Sequence, residues 1–122
     1  MMNNKLSEIE NWLFTPSVFD FLKSVDIDSA LDSRDETKFD DCWMKEFNFL
    51  ESVNIQNEDM AYINYLQEKV FKFSFRVINN AEISSCISDD VELISKSFVI
   101  GKNDSWAILY LWSFYKEGKF PQ

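Results

Sequence analysis

Apolar positions along this chain recur at helical spacing. Leu6, Ile9 and Leu13 form a short stripe with Trp12 and Phe14 beside it, and Val18, Leu22 and Val25 form another, widened by Phe19 and Phe21. Phe39, Trp43, Phe47 and Leu50 lie 4, 4 and 3 residues apart, leaving Asp41, Lys45, Asn48 and Ser52 on the opposite side. Ile63, Leu66, Val70, Phe73 and Val77 alternate steps of 3 and 4, as in a helix packed against neighbours. Ile87, Val91, Ile94 and Phe98 repeat that pattern, and Trp106 to Tyr115 is apolar nearly all round, which predicts a central buried helix. Within the fourth stripe, Phe71, Phe73, Phe75 and Val77 also alternate with polar residues as a strand would. The longer window from Asp59 to Asn79 favours helix, and no hairpin turn lies nearby.

Helix-end signals punctuate these stripes. Thr15-Pro16 reads as an N-cap followed by Pro at the first helical position, where its missing N–H costs nothing. Ser33-Arg34-Asp35-Glu36 reads as a capping box, and Ser88-Asp89-Asp90 and Asn103-Asp104 as caps with early acids. Gly101 and Gly118 follow periodic segments as C-terminal caps do, with Pro121 after the second. Residues 26–35, acidic and poorly periodic, read as a loop. The expectation is an all-α fold, a single compact bundle of about five or six helices forming one domain over residues 1–122.

Composition narrows the chemistry. At 122 residues, with 12 Phe, 4 Trp and 4 Tyr, the chain has the size and apolar content for a real core and is too hydrophobic for disorder. Two Gly and two Pro are too few for a turn-rich β-sandwich or barrel. There is no histidine, which removes Ser-His and Cys-His catalysis and imidazole metal sites. Asp26, Asp28 and Asp32 suggest a calcium loop, but its sixth position, a required Gly, is Leu31 and its twelfth, a required Glu, is Thr37. Asp40-Asp41 and Asp89-Asp90 are adjacent pairs, and adjacent helical residues do not face each other, so neither forms a proton-sharing dyad. The sequence implies no enzyme, cofactor or metal. Cys42 and Cys86 lack any metal-like spacing and read as buried free thiols. The first eight residues hold no apolar signal core and no run is long enough to span a membrane, so the expected location is the cytoplasm.

Charge supplies the functional lead. The net charge of −9 disfavours binding to nucleic acid or an anionic membrane and makes a basic protein the natural partner. Residues 1–61 carry 14 acids and 5 bases, whereas residues 62–122 carry 7 of each, so the surplus lies in the first half. Asp26, Asp28, Asp32, Asp35, Glu36, Asp40 and Asp41 fall within sixteen residues, opposed by Arg34 and Lys38. The candidate partner-binding residues are Asp28, Asp32, Asp35, Glu36, Asp40, Asp41 and Trp43, the last as an aromatic anchor rimmed by charge. A merely solubilising acidic surface is the alternative reading of the same residues. Lys69, Lys72 and Arg76 form a short basic stripe whose expected partners are neighbouring acids such as Glu68.

The C-terminal third, Ser88-Asp89-Asp90-Val91-Glu92-Leu93-Ile94 followed by Trp106, Leu109, Leu111, Tyr115, Gly118 and Pro121, resembles bacterial immunity proteins. These are small acidic helical proteins that protect cells from contact-dependent growth inhibition and related polymorphic toxins. The stretch Asp41-Cys42-Trp43-Met44-Lys45-Glu46-Phe47 is compatible with that resemblance. It implies a non-enzymatic inhibitor that binds one cognate toxin domain, often the C-terminal nuclease of a secreted toxin, and covers its active site or substrate groove. Two other classes fit the charge: a DNA-mimicking phage or mobile-element inhibitor, and a structural adaptor.

Overall fold

The computed structural model describes residues 4–122; Met1–Asn3, part of the segment read above for a signal, lies outside the described residues. A 3-10 turn at Asn4–Leu6 leads into α1 (Ser7–Leu13), followed by a second 3-10 segment, Asp20–Ser24. Then come α2 (Ile27–Asp35), α3 (Thr37–Glu51), α4 (Asn57–Ile78) and α5 (Ala81–Val99). A π-helix at Ala107–Trp112 runs straight into α6 (Ser113–Lys116). The described residues contain no strand, so the all-α bundle expected from the sequence is what forms, and residues 71–77 are helical. Among the described residues no helix is long and apolar enough to cross a membrane.

The bundle is organised around α5. Ten of its residues are buried, including the small side chains of Ser84, Ser95 and Ser97. Its antiparallel partner is α4, reached through a two-residue connection. Asn79 takes the left-handed conformation (φ 52°) that ends α4, and the Asn80 side chain accepts from the Ile83 N–H (2.9 Å) to start α5. Where the two helices meet, Ser74 donates to the Val70 carbonyl (2.7 Å) and its oxygen lies 3.0 Å from the Ser84 hydroxyl. Farther along, the Ser88 hydroxyl donates to the Gln67 carbonyl while the Gln67 amide donates to the Ser88 carbonyl. Ser88-Asp89-Asp90 therefore lies inside α5, not at its start.

Several other local expectations are corrected. The expected loop at residues 26–35 is helical from Ile27 to Asp35, and Asp26 caps it by accepting from the Ser29 N–H (3.1 Å). The buried stripe of α2 is just Ala30 and Arg34, one turn apart, and an inward arginine disguises it as polar. Ser33 lies within α2 instead of opening a capping box, and the extended backbone of Glu36 separates α2 from α3. The Val18–Val25 stripe winds only as the 3-10 segment. Thr15 does not cap it, because its hydroxyl donates back to the Asn11 carbonyl (2.8 Å). At the other end Ser105, not Asn103-Asp104, accepts from the Ile108 N–H, and the Glu46 carboxylate reaches across from α3 to accept from Ala107 N–H (3.0 Å). Gly101 and Gly118 do end helices, with φ of 74° and 71°.

The Trp106–Tyr115 segment is not the central helix. Leu109 is 64% exposed, while Ala107, Leu111, Trp112 and Tyr115 face inward. Its π winding widens each turn and brings residues four apart closer to register, so Trp106 stacks on Tyr110 (5.3 Å) and Tyr110 meets Phe114 at a tilt (4.8 Å, 31°). On the inner side, Trp12 of α1 packs against Phe19, Trp112 and Tyr115.

One buried carboxylate ties the elements together. Asp90 of α5 is fully buried and accepts two hydrogen bonds from Arg34 of α2 (2.9 and 2.7 Å), one from the Trp43 indole of α3 (2.8 Å) and one from the Tyr115 hydroxyl (2.6 Å). Arg34 also donates to the Pro121 carbonyl (3.0 Å) and lies over the rings of Phe39 and Phe120. Asp90→Asn leaves the Arg34 charge buried without its counter-ion and should destabilise the fold by about 3–5 kcal/mol. Adding Arg34→Leu to that variant should recover part of the loss, since no unpaired charge is left. Urea unfolding measures both; an Asp90→Asn midpoint equal to wild type would contradict this account.

Candidate partner-binding site

The acidic cluster folds into one continuous surface. On α2, Asp28, Asp32 and Asp35 are spaced by 4 and 3 residues and share a face. The break at Glu36 turns the chain into α3, where Glu36, Asp40 and Asp41 continue the acidic surface. All six, and Asp26, are exposed. Among the described residues none of these seven acids is in an ion pair. Of the two cations in their midst, Arg34 points the other way onto Asp90 and Lys38 stays exposed, so the surface is more acidic than the sequence count suggests. Burial pulls the Arg34 pKa down, but the Asp90 carboxylate more than offsets this and holds it above the ordinary value.

Trp43 is half-buried beside these acids, stacked on Phe47 (5.5 Å, 13° between planes), while Phe39 is buried. The Trp43 indole N–H is occupied by Asp90, so only part of the ring is left exposed. That part lines an open cleft of about 450 Å³ between α2–α3 and the start of α5. Asp35 and Asp40 stand on one wall, and Glu82 and Asp89 on the other, with Leu31, Phe39 and Ala81 supplying apolar surface. Burial first, then the like charges of Asp90 and Glu92, raises the Asp89 carboxyl above the usual range; Arg34 relieves this only in part.

Glu82 is absent from the sequence-based site because it lies far along the chain from the cluster. Its signal is the i, i+3, i+4, i+7 spacing of Glu82, Ser85, Cys86 and Asp89, which places them on one face of α5. Asp89 and Asp90 point to opposite environments, exposed cleft and buried core, so they form no dyad. Of the basic stripe, Lys72 pairs with Glu68 (2.7 Å), while Lys69 and Arg76 lie over Tyr65 and Phe73.

Residues 8–122 match the family described as Immunity protein PIM1. The chain belongs to this family. Membership assigns it the family's general role, neutralising a toxin, and the resemblance seen in the C-terminal third holds at that level. No curated protein matches the chain at a significant level. In this immunity protein the acidic cluster is exposed and the cleft beside it is open.

The two thiols are free but not both buried. Cys42 is exposed on α3, while Cys86 is half-buried in the cleft, where burial pushes its thiol pKa up. A thiol reagent added to folded protein at mildly alkaline pH should therefore modify Cys42 quickly and Cys86 only slowly, with the second site catching up on unfolding. Mass spectrometry of timed samples distinguishes the sites, and equal fast labelling of both would contradict the packing around Cys86.

Proposed function

We propose that this immunity protein is a non-enzymatic inhibitor of a nuclease toxin of the contact-dependent growth inhibition or polymorphic type. It acts in the cytoplasm as a single domain, setting its acidic α2–α3 surface against the basic groove that the nuclease uses for its substrate. The observation that carries this reading is the exposed run of Asp28, Asp32, Asp35, Glu36, Asp40 and Asp41, with no ion pair among the described residues and with Arg34 turned away. A nuclease must hold phosphates with Lys and Arg, and carboxylates in a row offer those cations an alternative partner. The family match favours this reading over a phage DNA mimic or a structural adaptor.

The mechanism has two parts. Long-range attraction speeds encounter, and the exposed portion of Trp43 is then covered as the cleft closes against the partner. An acidic surface built mostly on two rigid helices needs little reordering on binding, which limits the entropic cost of docking.

Reversing Asp28, Asp32 and Asp41 to Lys tests the docking face without touching the cleft. Protection against the cognate toxin should be lost, chiefly through slower association, while the thermal midpoint stays close to wild type because exposed charges contribute little to folding. The wild-type association rate should fall as salt rises, since attraction is screened beyond about 8–10 Å at physiological ionic strength. Reversal of Lys69, Lys72 and Arg76 is the control and should leave protection intact. A folded triple mutant that still protects cells fully would overturn the reading.

A further inference from the structure

We propose that the cleft between α2–α3 and the start of α5 is a socket for one arginine side chain, which in the complex comes from the toxin. The source of the arginine rests on the function proposed above; the chemistry of the socket does not.

Three features of the cleft converge on that occupant. Its apolar wall, formed by Leu31, Phe39, Trp43 and Ala81, suits an aliphatic stem. Phe47 covers one face of the Trp43 ring, so the exposed remainder of that ring is turned to the cleft it lines, where a planar cation stacks favourably. The rim carries carboxylates on opposite walls, Asp35 and Asp40 facing Glu82 and Asp89, and among the described residues none is in an ion pair.

The cation already present does not satisfy that rim. Arg34 lies at the cleft floor, 91% buried, but Asp90 holds it through two hydrogen bonds and cancels its charge. The four rim carboxylates are left around the cleft with no cation paired to them. A guanidinium answers this arrangement better than an ammonium does. It presents donors along several edges at once, so it bridges two walls, and it gives up its water more readily.

The test uses the whole 15N-labelled chain and small blocked amino acids, so it does not depend on knowing the toxin. Titration with N-acetyl-arginine amide should give saturable shifts at the amides of Glu82, Ser85 and Asp89 and at the Trp43 indole N–H. The Trp112 indole, held by Glu8 elsewhere in the fold, should stay still. N-acetyl-lysine amide should bind more weakly, and N-acetyl-citrulline amide, which keeps the shape without the charge, should not bind. The double variant E82Q/D89N should weaken arginine binding by about tenfold or more, with an unchanged circular dichroism spectrum. Equal shifts with citrulline, or shifts spread over Asp28, Asp32 and Asp41 without saturation in the cleft, would overturn the socket. Loss of protection in the Asp28, Asp32 and Asp41 reversal alongside no arginine binding would overturn the socket alone. Full protection in that reversal alongside saturable binding in the cleft would overturn the docking reading alone.

Discussion

The Asp90–Arg34 ion pair is the constraint from which the rest of the structure follows. A carboxylate with no exposed surface must be matched by donors from every side, and here these come from α2, α3 and the C-terminal segment. Each donor fixes the position of the element that carries it. Arg34 sets the rotation of α2 and, through the Pro121 carbonyl, holds the chain end. Trp43 sets the register of α3 on α5, and Tyr115 that of α6. Burial and the neighbouring Asp90 charge push the Tyr115 hydroxyl well above its ordinary pKa, which keeps it a donor. An apolar core of the same volume can be equally stable, so the pair is not required for stability as such.

That interior arrangement shapes the surface. Turning Arg34 inward removes a cation from the acidic cluster, and turning the Trp43 N–H inward leaves only part of its ring exposed. The acidic first half then divides into two populations. Glu8 accepts from the Trp112 indole (2.6 Å), Glu10 from the Tyr62 hydroxyl, Glu46 from Ala107 N–H, and Glu51 pairs with the buried Lys96 (3.4 Å). These acids hold the N-terminal half to the rest of the bundle. The seven acids from Asp26 to Asp41 make no ion pair among the described residues and stay exposed, so part of the negative charge serves the fold and part is left on the surface.

Heptad-like spacing in α3 and α4, the scarcity of Gly and Pro, and the two glycine stops were enough to read an all-α bundle from the chain, because apolar periodicity reports directly on which face is buried. The exposure of the acidic candidates was legible too, since a dense run of carboxylates favours solvent. Helix α2 was not legible: its buried stripe is Ala30 and Arg34, and an arginine in a core position carries no apolar signal. The start of α5 was missed for a related reason. Asp90 looked like a helix-opening acid, whereas its role depends on Arg34, 56 residues away.

By itself the sequence determined the fold class, the excess of negative charge and its concentration in the first half, all of which depend on local pattern and count. Only the tertiary structure decided which charges are cancelled, which aromatic rings are reachable, and that Glu82 and Asp89 stand opposite Asp35 and Asp40 across a cleft. The reason is physical. Burial and pairing are set by residues distant in sequence, and a carboxylate reads the same whether it ends in water or beneath an arginine.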